Sequence, residues 1–374
     1  MQGEYCTSGQ NTGGIRNLVL IYNGYYDRQQ GDWSAQELLP YLLYQKRNAG
    51  FGEPFFDGFL FLGLLSCTGN QLFEAVDPAK AATWEDFEWY LNKTLRPQGD
   101  LCALHEAVLQ ARKLSRRPQL QARLVLTIPF PSRQTFGGPE SQKAAIDRYM
   151  DRMAELYRPF EQLDTLRLCG LYWLHEDASQ TELIDYAGRK ARERGLAFLW
   201  IPYYRALGFD RWQAMGFDAQ QNHYFNGTQP VQIQNAAELA AQNHMGLELE
   251  FDERAFDDEN FYRRYLDYLK GAQRFGFSGS QVFKGYYQDV KAIYNAAAPA
   301  AVSSMKKLSR LQQGIKESKA WRTQLILTGR WRRRMPGGKK SYGTKFPTKT
   351  FWWKVWAFLQ RKGDGTASPN LFPV

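Results

Sequence analysis

Three glutamates stand inside or at the end of runs that otherwise read as buried strands. Glu176 closes Leu171-Tyr172-Trp173-Leu174-His175-Glu176, and Glu248 and Glu250 interrupt Gly246-Leu247-Glu248-Leu249-Glu250-Phe251. A carboxylate in apolar surroundings needs a partner, a proton or a task. Strict alternation separates Leu247, Leu249 and Phe251 on one face from Glu248, Glu250 and Asp252 on the other. With the apolar face against helices, the glutamates point into a barrel. Two carboxyls facing each other across a cleft are the minimum apparatus for cleaving a glycosidic bond. Glu176 is expected as general acid and Glu250 as nucleophile or base, with Glu248 one layer deeper to orient it. The plain alternative for each glutamate is an ion pair with an inward cation such as Lys284 or Arg205.

Around these acids the ends of the runs are polar or aromatic. Tyr22 and Asn23 close the first; Trp173 and His175 precede Glu176; Trp200, Tyr203 and Tyr204 end the fifth; Gln221, Asn222 and Tyr224 lie on the sixth; Lys284 and Tyr286 lie on the eighth. Flat rings stack on the apolar faces of sugars, and amides serve their hydroxyls, so these residues are the expected substrate contacts. Singly, each of them is more often core packing. Other chemistries find less. The four histidines, His105, His175, His223 and His244, are scattered without metal-ligand spacing, so neither metal nor cofactor is expected. No dinucleotide fingerprint or Walker loop occurs, and the Gly-rich Phe275–Ser280 stretch precedes the eighth run, on the wrong side for a phosphate site. The cysteines, Cys6, Cys67, Cys102 and Cys169, form no disulfide framework.

The elements that must position these groups follow from periodicity. Eight strand-like runs, Asn17–Tyr25, Asp57–Leu64, Ala122–Phe130, Leu166–Glu176, Ala197–Tyr204, Gly216–Phe225, Gly246–Asp252 and Gly279–Tyr287, alternate with helical stretches. Ser34 with Glu37 and Ser179 with Glu182 are Ser-x-x-Glu capping boxes, Thr83 is a further N-cap, and Gly195 suits a left-handed helix end. The expected fold is α/β, a (β/α)8 TIM barrel over residues 15–299, with a lead-in at 1–14 and a basic, partly disordered extension at 300–374.

Charge is divided in the same way. From Ser303 onward 17 Lys and Arg face 2 Asp and Glu, so of the totals of 48 and 38 the preceding part keeps 31 and 36. The net charge of +10 therefore describes the tail, and no nucleic acid is expected at the barrel. The tail's Phe351-Trp352-Trp353-Lys354-Val355-Trp356-Ala357-Phe358-Leu359 patch suits an anionic membrane surface or an acidic partner, or else a plain appendage. The chain as given shows neither a secretory signal nor an apolar run of about 18 residues. The expected place is the cytoplasm or a membrane periphery, with secretion open if the N-terminus is incomplete.

Five segments in order, Asp57–Leu62, Gly170–Glu176, Leu199–Tyr204, Trp212 with Gly216-Phe217-Asp218, and Met245–Glu250, resemble the domain of unknown function 4855 family. The resemblance spans about residues 15–298 and implies a bacterial branch of the TIM-barrel glycoside hydrolases acting on a polysaccharide or oligosaccharide. Two places depart from the pattern. Gln221-Asn222-His223-Tyr224 stands where Gln-Pro-Asn-Tyr is expected, and His175 precedes Glu176 where the large retaining clan has Asn. A non-catalytic carbohydrate-binding barrel, serving polysaccharide assembly or surface attachment, is the alternative.

Overall fold

The computed structural model describes residues 3–25, 31–46, 50–222 and 232–297. The barrel strands are β1 (Asn17–Tyr22), β4 (Gly58–Leu62), β5 (Ala122–Ile128), β6 (Leu166–Trp173), β7 (Ala197–Trp200), β8 (Ala219–Asn222), β9 (Gly246–Glu250) and β10 (Lys284–Tyr287). They pair in parallel in a closed ring ordered β1-β10-β9-β8-β7-β6-β5-β4. All eight expected strands are present but shorter at their ends. At their C-terminal ends the chain leaves the strands early: Asn23 is the first residue past β1, and Leu174 the first past β6.

Register fixes which side chains enter the barrel. Leu18 pairs with Gly58 and Gly285, Tyr287 with Glu250, Gly58 with Arg123, Thr127 with Tyr172, Tyr172 with Leu199, and Leu199 with Ala219. Neighbours in register share a face. Contacts with the outer layer say which face is which. Phe251 meets Tyr265 of α9 (Glu259–Arg274) edge-on, and a Cβ on Gly188 of α6 (Thr181–Glu193) would press on Phe198. Leu247, Leu249, Phe251 and Phe198 therefore face helices, and Tyr172, Leu199, Glu248, Glu250 and Tyr287 face inward. At the N-terminal floor Gly58 is required, because any Cβ would lie 2.3 Å from the Ile15 side chain that plugs it.

The outer layer departs from one helix per strand. Two helices each follow β4 (α2, Trp84–Leu95; α3, Asp100–Ser115), β5 (α4, Arg133–Phe136; α5, Pro139–Tyr157) and β9 (α8, Arg254–Asp257; α9). Between β7 and β8 a single 3-10 turn, Phe209–Arg211, stands where the regular (β/α)8 repeat requires a helix. Gly208 and Gly216, both at positive φ, break the segment. Its aromatics cover the sheet instead: Phe217 stacks on both Phe198 and Trp200, and Trp212 is buried with its indole N–H on the Asn243 carbonyl. A short antiparallel hairpin, β2 (Leu43–Lys46) and β3 (Gly50–Pro54), follows α1 (Ala35–Leu42) and was not expected from the sequence.

The capping expectations divide. Ser34 and Glu37 form the reciprocal box, with the Ser34 amide on the Glu37 carboxylate at 2.8 Å, and Gly195 takes φ 70°. Ser179 and Glu182 do not form one. Glu182 is drawn to Lys143 at 2.5 Å, the Ser179 amide donates to Asp177 at 2.9 Å, and α6 starts after Gln180. Two helix tyrosines tie the layers at the C-terminal side, Tyr90 donating to the Phe61 carbonyl and Tyr149 to that of Thr127. Among the described residues no helix is long and apolar enough to cross a membrane.

Candidate functional site

The C-terminal mouth of the barrel carries two groups of acids. On the β9–β10 side, Glu248 and Glu250 point inward and are only 3% and 8% exposed, with Asp252 just beyond them at 5%. Arg254, the first residue of α8, grips Asp252 through Nε to both carboxylate oxygens at 2.9 Å and through Nη2. Tyr287 enters from β10 and meets Tyr22 of β1 edge-on, ring centroids 5.7 Å apart. Burial raises the Tyr287 hydroxyl well above its ordinary range, and the charges of Asp289, Asp252 and Glu250 raise it further. Asp289, two residues past β10 at φ 58°, is pushed up to about 6 by burial and then by Asp252 and Glu253, with Arg254 opposing.

On the β6 side, Glu176 is half-buried in the turn after the strand. Tyr172, inward on β6, has its hydroxyl raised well above its ordinary value by burial and then by the charges of Glu176 and Glu248. One phenol thus senses an acid from each side of the mouth. Tyr203, after β7, is pushed up to about 12 by burial and then by Asp177 and Glu176. His175 is buried against the Phe130 ring, centroids 4.7 Å apart. Its Nε2 lies 2.9 Å from Asp177 Oδ1 and 3.4 Å from Glu74 Oε2. Burial would raise the Asp177 carboxyl, but the hydrogen bond and charge of His175, with donors on Ser179, hold it well below the usual carboxylate range. Trp200 fixes this turn from outside the barrel, its indole N–H on the His175 carbonyl at 2.8 Å.

The remaining candidates are placed elsewhere. Register sets Trp173 and Trp200 on the helix side; Trp173 packs edge-on to Phe130 and Phe198 rather than toward a cleft. Lys284 and Tyr286 also face outward, in register with Leu247 and Leu249. The Lys284 ammonium donates to the Gly279 and Val282 carbonyls near the floor, and the Tyr286 hydroxyl to Asn17 Oδ1. Asn23 is fully buried, its amide donating to Thr94 at 2.9 Å and to Asp100 at 3.0 Å beside the Lys93–Asp100 ion pair. It pins the first loop instead of lining the mouth. Tyr204 is half-buried with the Arg205 guanidinium 5.4 Å from its ring centre. Gln221 and Asn222 end β8, and Tyr224 lies outside the described residues.

Asp177, Asp289 and Glu74 were not anticipated, and Tyr172 was expected only as a neighbour that desolvates Glu176. Tyr172 follows from applying the two-residue period to the fourth barrel strand as it was applied to the seventh. Asp289 follows from reading two residues past each strand. Glu74, a hundred positions from its partners, has no local signal. It is placed by the loop after β4. Asp86 anchors that loop by accepting from Thr68 and Asn70 at 2.8 Å each, and the Phe130 amide ties it to β5 through the Leu72 carbonyl at 2.7 Å.

Comparison with solved structures finds distant matches. A group IV chitinase from Ostrinia furnacalis is 10% identical with a TM-score of 0.43, covering 82% of this chain and 100% of its own. The tryptophan synthase α chain of Legionella pneumophila is 12% identical with a TM-score of 0.39, covering 82% and 94%. A mutant tryptophan synthase α-subunit from Pyrococcus furiosus is 10% identical at 0.37, covering 80% and 97%. No curated protein matches the chain at a significant level. The model of one family, described as a domain of unknown function, matches residues 17–312. With most of the chain matched, and with the ordered motifs of β4, β6, β7 and β9 inside the match, the protein belongs to the DUF4855 family.

Proposed function

We propose that the protein is a glycoside hydrolase of polysaccharides or oligosaccharides, built on a (β/α)8 TIM-type barrel that lacks the helix between β7 and β8. Glu176 protonates the leaving oxygen; Glu250, oriented by Glu248, attacks the sugar or activates water. The observation that supports this is placement: Glu248 and Glu250 lie on the inward face of β9, and Glu176 lies in the turn after β6 at the same C-terminal mouth. Residues 15–299 would form the catalytic unit. The tail from residue 300 would add attachment to an anionic membrane, which flotation with acidic liposomes, with and without the tail, tests.

The decisive experiment is reducing-end release from a panel of polysaccharides and aryl glycosides. Glu176→Gln and Glu250→Gln are each expected to lower the rate by ~10²–10⁴-fold, the usual contribution of a positioned acid or base, with unchanged circular dichroism. Product anomers read by NMR then distinguish carboxyls ~5–5.5 Å apart (retention) from ~6.5–9.5 Å apart (inversion). Glycan binding that survives both substitutions, without hydrolysis by the unaltered protein, would replace the enzyme with a binding barrel.

A further inference from the structure

Glu74, His175 and Asp177 come from two loops at the C-terminal mouth, and one ligating atom from each lies within 4.8 Å of the others. Three oxygens converge on one imidazole nitrogen: Asp177 Oδ1 at 2.9 Å, Glu74 Oε2 at 3.4 Å and Ser179 Oγ at 3.5 Å. A ring N–H satisfies one acceptor, so hydrogen bonding alone does not account for three oxygens at the same nitrogen. Donor atoms held tetrahedrally at ~2.0–2.1 Å from a zinc-sized ion stand about 3.3–3.4 Å apart. The two measured separations bracket the edge of that polyhedron.

The surroundings are those of a constructed site. The imidazole is fixed by the Phe130 face on one side, and its residue's carbonyl is fixed by the Trp200 indole. The Asp177 carboxylate is oriented by the Ser179 amide at 2.9 Å. Such outer contacts hold a ligand's orientation before the ion arrives. Glu74 is the half-exposed member, on the side from which an ion would enter.

We propose that Glu74, His175 and Asp177 form a divalent transition-metal site of the zinc class, with one imidazole and two carboxylate ligands and an open position for water or for Ser179. One nitrogen and two carboxylates suit a borderline cation, whereas calcium takes 6–8 oxygens. The bound ion would clamp the loop after β4 to the turn carrying Glu176. The proposal does not depend on hydrolysis, since it is read by binding alone.

The test uses untagged full-length protein, stripped with chelator and titrated calorimetrically with zinc chloride, manganese chloride or calcium chloride. Equimolar zinc uptake and a higher melting temperature are expected. Glu74→Gln and His175→Gln should each weaken zinc by at least ~10-fold, a loss that removal of even an outer contact produces. Should His175→Gln fail to fold, Glu74→Gln, a half-exposed change, carries the test. No zinc uptake by the unaltered protein, unchanged affinity in Glu74→Gln, or preference for calcium over zinc would each overturn the assignment.

Discussion

The two sides of the barrel mouth treat their acids in opposite ways. On the β6 side Asp177 meets an imidazole and a backbone donor, and its carboxyl is held down. On the β9–β10 side the one guanidinium, Arg254, is taken by Asp252, and Asp289 is pushed up to about 6 by burial and then by Asp252 and Glu253. Burial opposes ionisation on both sides; donor supply decides the outcome. The contrast belongs to Asp177 and Asp289, which flank the proposed acid and nucleophile on their respective sides.

Arg254→Met should break the contrast most severely. It leaves Asp252, 5% exposed, without the cation that grips it. The expected loss is about 2–3 kcal/mol in urea unfolding at pH 7.5, below the 3–5 of a fully buried pair because Arg254 is itself partly solvated.

Asp289→Asn should act in the reverse sense. A raised carboxyl binds its proton in the fold at pH values where the unfolded chain has released it, so its stabilising contribution is present below ~4 and lost as pH rises through about 6. The amide removes that penalty and tolerates φ 58°. A gain of ~2 kcal/mol at pH 7.5 and none near pH 4 is expected. Equal effects at both values would mean that Asp289 does not titrate in this window.

Asp177→Asn provides the opposite sign. A depressed carboxyl contributes stability above the unfolded value of ~3.9 that is lost as pH falls below it. The loss expected at pH 7.5 in the presence of chelator is ~1–2 kcal/mol, the worth of a charged hydrogen bond. A gain in place of a loss would erase the difference between the two sides.

How much of this was legible in the sequence depended on whether a signal was local. The eight barrel strands were, because runs such as Leu124-Val125-Leu126 admit little else, and the alternation along β9 places Glu248 and Glu250 on the inward face. The same period applied to β6 and β7 turns Trp173 and Trp200 outward with Leu171 and Phe198; an aromatic at a strand end is as ready to cover a sheet from outside as to line its mouth. Asn23 looked like a mouth residue because its partners, Thr94 and Asp100, are more than seventy positions away. The β2–β3 hairpin has too few apolar residues to announce itself, since Gln45, Lys46, Gly50 and Gly52 interrupt it. The missing helix after β7 follows from Gly208 and Gly216 breaking the segment, so that Trp212 and Phe217 cover the sheet in its place.

Ser179→Ala gives the smallest effect and separates two accounts of the β6 side. Were Ser179 the cap of α6, as its spacing from Glu182 implies, the substitution would cost ~1 kcal/mol. In the fold Ser179 contributes its backbone amide to Asp177 at 2.9 Å, which alanine retains; its hydroxyl also helps hold the Asp177 carboxyl down and stands 3.5 Å from His175 Nε2, at the limit of a useful hydrogen bond. The expected change is therefore ~0–0.5 kcal/mol in urea unfolding, within the range of an ordinary surface substitution. A loss near ~1 kcal/mol would make the hydroxyl an essential donor and attribute part of the contrast between the two sides to a side chain the backbone geometry assigns to Asp177 alone.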